Sequence, residues 1–201
     1  MERNKKVSGS ITTDQFLHNE IKITVPLFLE GKTLDEAAQI ISKDNLYQFP
    51  TERNNRRIAR TCYKRLAALG SKEAIEELLN GPSDQSRLMN LYAIARTNGL
   101  VWEFLRQVLG EKFINQDRTF SRPDINSFIS NLQATDEAAA KWKGSTPAHI
   151  AQILLRFMVE AGYLDSKNDT TLNSVYLDDP LKHLIEENGE EEILPAFHTA
   201  R

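Results

Sequence analysis

Helix start and stop signals recur along almost the whole chain and leave little room for a sheet. Thr33 followed by Glu36 is a capping box, in which each side chain meets a backbone donor that the first helical turn leaves free. Thr12 followed by Gln15 reads the same way. Thr51 and Ser71 are further N-cap residues, and Gly31, Gly70, Asn80-Gly81-Pro82, Asn98-Gly99, Gly162 and Asn188-Gly189 are stops. Ser121-Arg122-Pro123-Asp124 and Thr146-Pro147 open two more helices, with proline where its missing N–H costs nothing.

Apolar residues recur at helical spacing between these signals. The first helix carries Phe16, Ile21, Ile23, Val25, Leu27 and Phe28, and Pro26 is expected to kink or divide it. A second runs from Leu34 to about Lys43, and a third from Thr51 to Leu69 after the connection Asn45–Pro50. Leu88, Leu91, Tyr92 and Ile94, then Leu100, Trp102, Phe104, Leu105, Val108 and Leu109, mark two middle helices as the core. Thr135–Trp142 reads as a short helix, and Leu181–Glu187 as the last one. Tyr163-Leu164 and Leu172–Leu177, around the polar turn Asp165–Thr171, read as a small hairpin.

The fold class is therefore mainly α. The expected form is a helical bundle with an N-terminal helix-turn-helix-like unit and a C-terminal winged-helix-like unit with a small β-hairpin. The units are 1–70, basic and helix-turn-helix-like; 71–120, the central helical core; and 121–201, winged-helix-like with an acidic C-terminal helix.

Charge is uneven along the chain. The whole sequence is nearly balanced, at −3. Residues 1–70 carry 12 Lys and Arg against 8 Asp and Glu, whereas residues 71–201 carry 13 against 20. Such asymmetry points to a basic binding surface on an otherwise acidic protein. No run approaches the ~18 apolar residues of a membrane span. With no secretory leader at Met1–Ser10, a cytoplasmic location is expected.

The third helix concentrates the positive charge. At 100° per residue, Arg53, Arg57, Arg60 and Lys64 fall at about 0°, 40°, 340° and 20°. Ile58, Cys62, Leu66 and Leu69 fall between about 140° and 220°, on the opposite side. The helix can thus bury one stripe and present a cationic one about 16 Å long. An arginine fork suits a phosphate, or O6 and N7 of guanine. The expected phosphate contacts are Arg53, Arg57, Arg60 and Lys64, with Arg56 and Asn54 near base edges. Asn55 is a further candidate for reading adenine. A solvated face paired with acids of the second half is the plain alternative.

The second candidate surface belongs to the helix after Thr146, which exposes His149, Gln152, Arg156 and Glu160 opposite its apolar stripe. Lys167 would sit at the tip of the adjoining wing. A winged helix serves protein contacts as well as nucleic acid, so this surface stays open between the two.

Nothing in the sequence carries catalysis. There is no Gly-rich phosphate loop, no Gly-x-Ser-x-Gly and no His-Glu-x-x-His. His18, His149, His183 and His198 are scattered, so no metal site, cofactor or small-molecule substrate is expected. Cys62, the single cysteine, lies on the apolar stripe and reads as a buried, inert thiol.

Several stretches resemble the BrxA family of the bacteriophage exclusion (BREX) defence systems. They are Phe16-Leu17, Pro26-Leu27-Phe28-Leu29-Glu30-Gly31, Asn45-Leu46-Tyr47-Gln48-Phe49, Arg56-Arg57-Ile58 and the run Leu88–Thr97. Ala140-Lys141-Trp142 and Val159-Glu160-Ala161-Gly162 fit it too, and the likeness spans about Gly9 to Leu184. The resemblance implies a non-enzymatic, all-helical accessory protein of an anti-phage defence island. It implies other BREX proteins as partners, among them a methyltransferase, an ATPase and a phosphatase-like protein. The family has been described as DNA-binding and also likened to NusB, a helical RNA-binding factor. The leading expectation is double-stranded DNA binding; an RNA-binding module and a protein–protein adaptor are the alternatives.

Overall fold

Residues 7, 11 and 15–197 are described by the structure, a computed structural model. The Thr12 cap, the basic start Met1–Ser10 (apart from Val7) and His198 lie outside the described residues. Eleven α-helices follow one another among the described residues. They are α1 (His18–Leu29), α2 (Leu34–Lys43), α3 (Glu52–Leu69), α4 (Lys72–Asn80), α5 (Ser83–Thr97) and α6 (Gly99–Phe104). After a π-helical turn at Leu105–Gly110 come α7 (Glu111–Ile114), α8 (Arg122–Thr135), α9 (Thr146–Glu160), α10 (Asp179–Glu187) and α11 (Leu194–Phe197).

The punctuation read from the sequence sets most boundaries. Thr33 and Glu36 form their capping box, with Thr33 N 2.8 Å from Glu36 Oε2. Thr51, Ser71 and Asp178 accept hydrogen bonds from the third residue of α3, α4 and α10. α5 is the centre of the molecule: every residue from Leu88 to Arg96 is buried. Trp102 and Phe104 of α6 continue that core, and α11 closes it at the far end with Ala196 and Phe197.

Four expectations need correction. The first helix starts at His18, later than Phe16. Leu17 adopts a left-handed backbone (φ 58°), a strained geometry for a buried leucine. That turn is held from beneath: Arg65 donates to the carbonyls of Gln15 and Phe16, and Asn90 also donates to Phe16, each at 2.8 Å. Pro26 does not divide α1. It sits on the exposed side, where water can serve the backbone acceptor that its ring leaves free. The short helix at 135–142 is only a 3-10 turn, Ala139–Lys141.

The hairpin does not form, and the described residues contain no strand. One antiparallel bridge, Thr119 with Thr171, joins the loop to the segment before α8. The strand-like Val175 and Tyr176 lie outside any helix, strand or bridge. The Gln85 side chain takes the place of a partner strand, donating to Tyr176 O at 2.9 Å and accepting from Asp178 N at 3.2 Å. β-propensity alone cannot make a sheet where a buried amide already serves the backbone.

Candidate nucleic-acid interface

α3 forms because both ends are fixed and one side is apolar. Thr51 caps it, and Gly70 stops it in a left-handed conformation (φ 75°) that a side chain would strain. Ile58, Cys62, Leu66 and Leu69 are at most 1% exposed. Burial of each contributes about 1.5–3 kcal/mol for a side chain of leucine size, and somewhat less for cysteine. The Cys62 thiol is pushed up to about 12 by burial, so it stays protonated and inert.

The connection from α2 is rigid for its length. Tyr47 turns into the core, and its hydroxyl lies 2.6 Å from Thr24 Oγ1. Asn55 is buried, and its amide donates to Asn45 Oδ1, Phe49 O and Thr51 O. Asn55 is therefore a clamp on the loop, and the expectation that it reads a base is corrected. Asn54 stays half-buried at the surface and accepts from Arg57 Nη2 at 3.1 Å.

Arg53, Arg56, Arg57, Arg60 and Lys64 are all exposed on one open face of α3, a shallow surface groove also lined by Glu52 and Thr61. Among the described residues, two carboxylates are ion-paired with this face. Asp35 of α2 lies 2.8 Å from Arg60, and Glu52 lies 3.6 Å from Arg56. Arg56 also donates weakly to Ser42 Oγ at 3.4 Å. Arg53 and Lys64 have no ion pair among the described residues. Exposed pairs of this kind are worth about 0–1 kcal/mol. Counted over the described residues, five cations against two carboxylates leave the face positive.

Sequence reasoning did not find Asp35 or Ser42 as neighbours of the stripe. The capping box that places Asp35 in the first turn of α2 was the only available signal. Residue type alone would put Arg65, the neighbour of Lys64, with the basic cluster, but Arg65 is 2% exposed and serves the Leu17 turn.

The second surface is assembled from three segments. Gln152 and Arg156 of α9, Lys167 and Asp169 of the loop, and Arg122 of α8 line one trough. His149 is exposed one turn before Gln152, outside the trough lining. Arg122 is not predicted for this surface, because the motif Ser121-Arg122-Pro123-Asp124 signals only a helix start. Asp169 is occupied locally, accepting from Asp165 N, Ser166 N and Ser166 Oγ, and these bonds hold its carboxyl below the usual range. Burial raises the Glu160 carboxyl, with Arg156 and Lys167 opposing that rise.

No group of three or more metal-ligating side chains occurs among the described residues. No helix among them is long and apolar enough to cross a membrane. His18 sits 2.9 Å from Ser86 Oγ, but that hydroxyl donates to Leu78 O, so the serine is not a poised nucleophile. Burial and the cations Lys22 and Arg87 lower His18 to about 4.

Comparison with known proteins completes the description. The family model for BrxA matches residues 5–189. The BREX protein BrxA of Bacillus cereus (strain H3081.97) is 29% identical over 167 residues, 83% of each chain. That of Paramagnetospirillum magneticum (strain ATCC 700264 / AMB-1) is 25% identical over 181 residues, 87% of each chain. A crystal structure of an uncharacterized protein from Magnetospirillum magneticum superposes with a TM-score of 0.79 at 21% identity. It covers 96% of this chain and 99% of the other, and shows a shared fold.

Proposed function

The chain belongs to the BrxA family, and from that premise we propose that it is a double-stranded-DNA-binding accessory protein of an anti-phage BREX system. The observation that carries this reading is the exposed face of α3, with five cations on one rigidly seated helix. In this reading residues 1–70 are the main DNA-binding unit, with α2, the clamped connection and α3 acting as a helix-turn-helix-like element. Residues 71–120 are the scaffold. Residues 121–201 add a winged-helix-like unit in which the irregular loop at 165–171 stands where a hairpin wing would be; its trough of Arg122, Gln152, Arg156 and Lys167, with His149 beside it, makes a weaker second contact. Other BREX proteins are its expected partners.

Duplex DNA is favoured over single-stranded RNA by what the face lacks. Single strands are gripped by stacking their bases on exposed aromatic rings. The one aromatic residue of α3, Tyr63, is turned away: it packs on Phe28 at 4.8 Å and donates to Lys32 O.

The test is a binding series on random duplex DNA at rising salt, with single-stranded RNA as competitor. The expected result is duplex binding that weakens steeply with salt and survives the RNA. Preferential loss to RNA supports the antitermination-like alternative. No nucleic-acid binding together with co-purification of other defence proteins supports the adaptor.

A further inference from the structure

The two edges of the α3 face differ in what stands beside them. Counting about 100° per residue from Arg53, Arg56 and Arg60 lie on the edge nearest α2, and Arg57 and Lys64 on the other. The α2 edge is lined by carboxylates: Asp35 against Arg60 at 2.8 Å and Glu52 against Arg56 at 3.6 Å. Both acids are well exposed, at 79% and 74% of their side chains. On the other edge Arg57 donates to the neutral Asn54 carboxamide.

A phosphate backbone laid along the α2 edge would meet two like charges. Base edges tolerate the acidic edge, because guanine offers the neutral acceptors O6 and N7 and cytosine offers an amine that a carboxylate accepts. Asp35 also biases the Arg60 guanidinium toward one orientation. Asp35 uses one Nη2 proton and leaves one on Nη2 and two on Nη1, enough for the bidentate fork to guanine. A braced guanidinium loses less freedom when it binds.

We propose that Arg60, braced by Asp35, reads a base edge, guanine O6 and N7, while Arg53, Arg57 and Lys64 hold the phosphates. This rests on the duplex-DNA reading above and departs from the uniform stripe, in which Arg60 is one more phosphate contact. Both residues of the pair are exposed, so removing either leaves the fold intact.

The experiment selects duplexes from a random pool with the full chain. Salt titrations follow on the enriched duplex and on a shuffled one. A fixed guanine is expected in the enriched site. Arg60→Ala and the charge-keeping Arg60→Lys each cost about tenfold on the enriched duplex and much less on the shuffled one. Asp35→Asn narrows the same discrimination while tightening the shuffled duplex. Arg57→Ala weakens both duplexes alike and lowers the salt slope by about one unit. Enrichment without a fixed guanine overturns the proposal, as does an Arg60→Ala effect equal on both duplexes with a one-unit fall in slope. If the unmodified chain binds no duplex at low salt, the duplex reading itself fails, and this proposal with it.

Discussion

The α3 face and the α8–α9 trough are both cationic, but they are built in opposite ways. On α3, five charges come from one continuous helix whose back is buried and whose loop is clamped by Asn55 and Tyr47. In the trough, three charges come from α8, α9 and a loop, with Asp169 inside and Glu160 beside them. The difference teaches that density and shared support make a strong electrostatic footprint, whereas a gathered site starts weaker and depends on its acidic neighbours. If both surfaces bind DNA, α3 supplies most of the affinity.

The largest effect separates the two surfaces directly. Arg57→Glu with Lys64→Glu is expected to weaken duplex binding at least about 100-fold and to cut the salt slope by about two units. Titrations of the folded variant on random duplex check this; unchanged binding removes α3 from the site. Next comes the support. Asn55→Ala strips the loop of three hydrogen bonds and is expected to cost about 1–3 kcal/mol in urea unfolding. Its base preference in a selection is expected to stay that of the parent, because Asn55 is buried beneath the surface of α3.

How far the α3 surface was legible turns on two adjacent pairs of residues. The helical period places Asn55 at about 200°, within the apolar stripe, and Arg65 at about 120°, beside it, while Asn54 at about 100° lies between the two stripes and Lys64 at about 20° faces out. Residue type suggested base reading for Asn55 and surface charge for Arg65; position decided otherwise in both cases. The family, the mainly helical class and most helix ends were legible because caps and periodicity act over a few residues. The trough was only partly legible, because Arg122 meets Arg156 and Lys167 through tertiary packing. The absent hairpin was illegible for a similar reason. Gln85, far away in sequence, pairs with Tyr176 O and Asp178 N, backbone groups that a partner strand would have met.

The trough supplies the smaller tests. Arg122→Ala with Arg156→Ala is expected to weaken duplex binding about tenfold or less, against the larger loss from α3. An equal loss in the same gel-shift series breaks the ranking of the two surfaces. The smallest effect is a pH dependence. A carboxyl raised by burial takes up its proton at a higher pH than free glutamate, so acidification removes a negative charge beside Arg156 and Lys167. Residual binding by the α3 double variant is expected to rise less than about threefold from pH 7 to pH 5.5. Glu160→Gln should raise binding at pH 7 and reduce the rise on acidification.

The central claim is that the exposed α3 cations bind DNA phosphates. It is tested most directly by the salt dependence of the unmodified chain on random duplex DNA. Each neutralised phosphate contributes about −0.9 to the slope of log affinity against log salt, so three to five contacts predict a slope of roughly −3 to −5. Duplex affinity that does not change with salt, or no duplex binding even at low salt, would contradict the account.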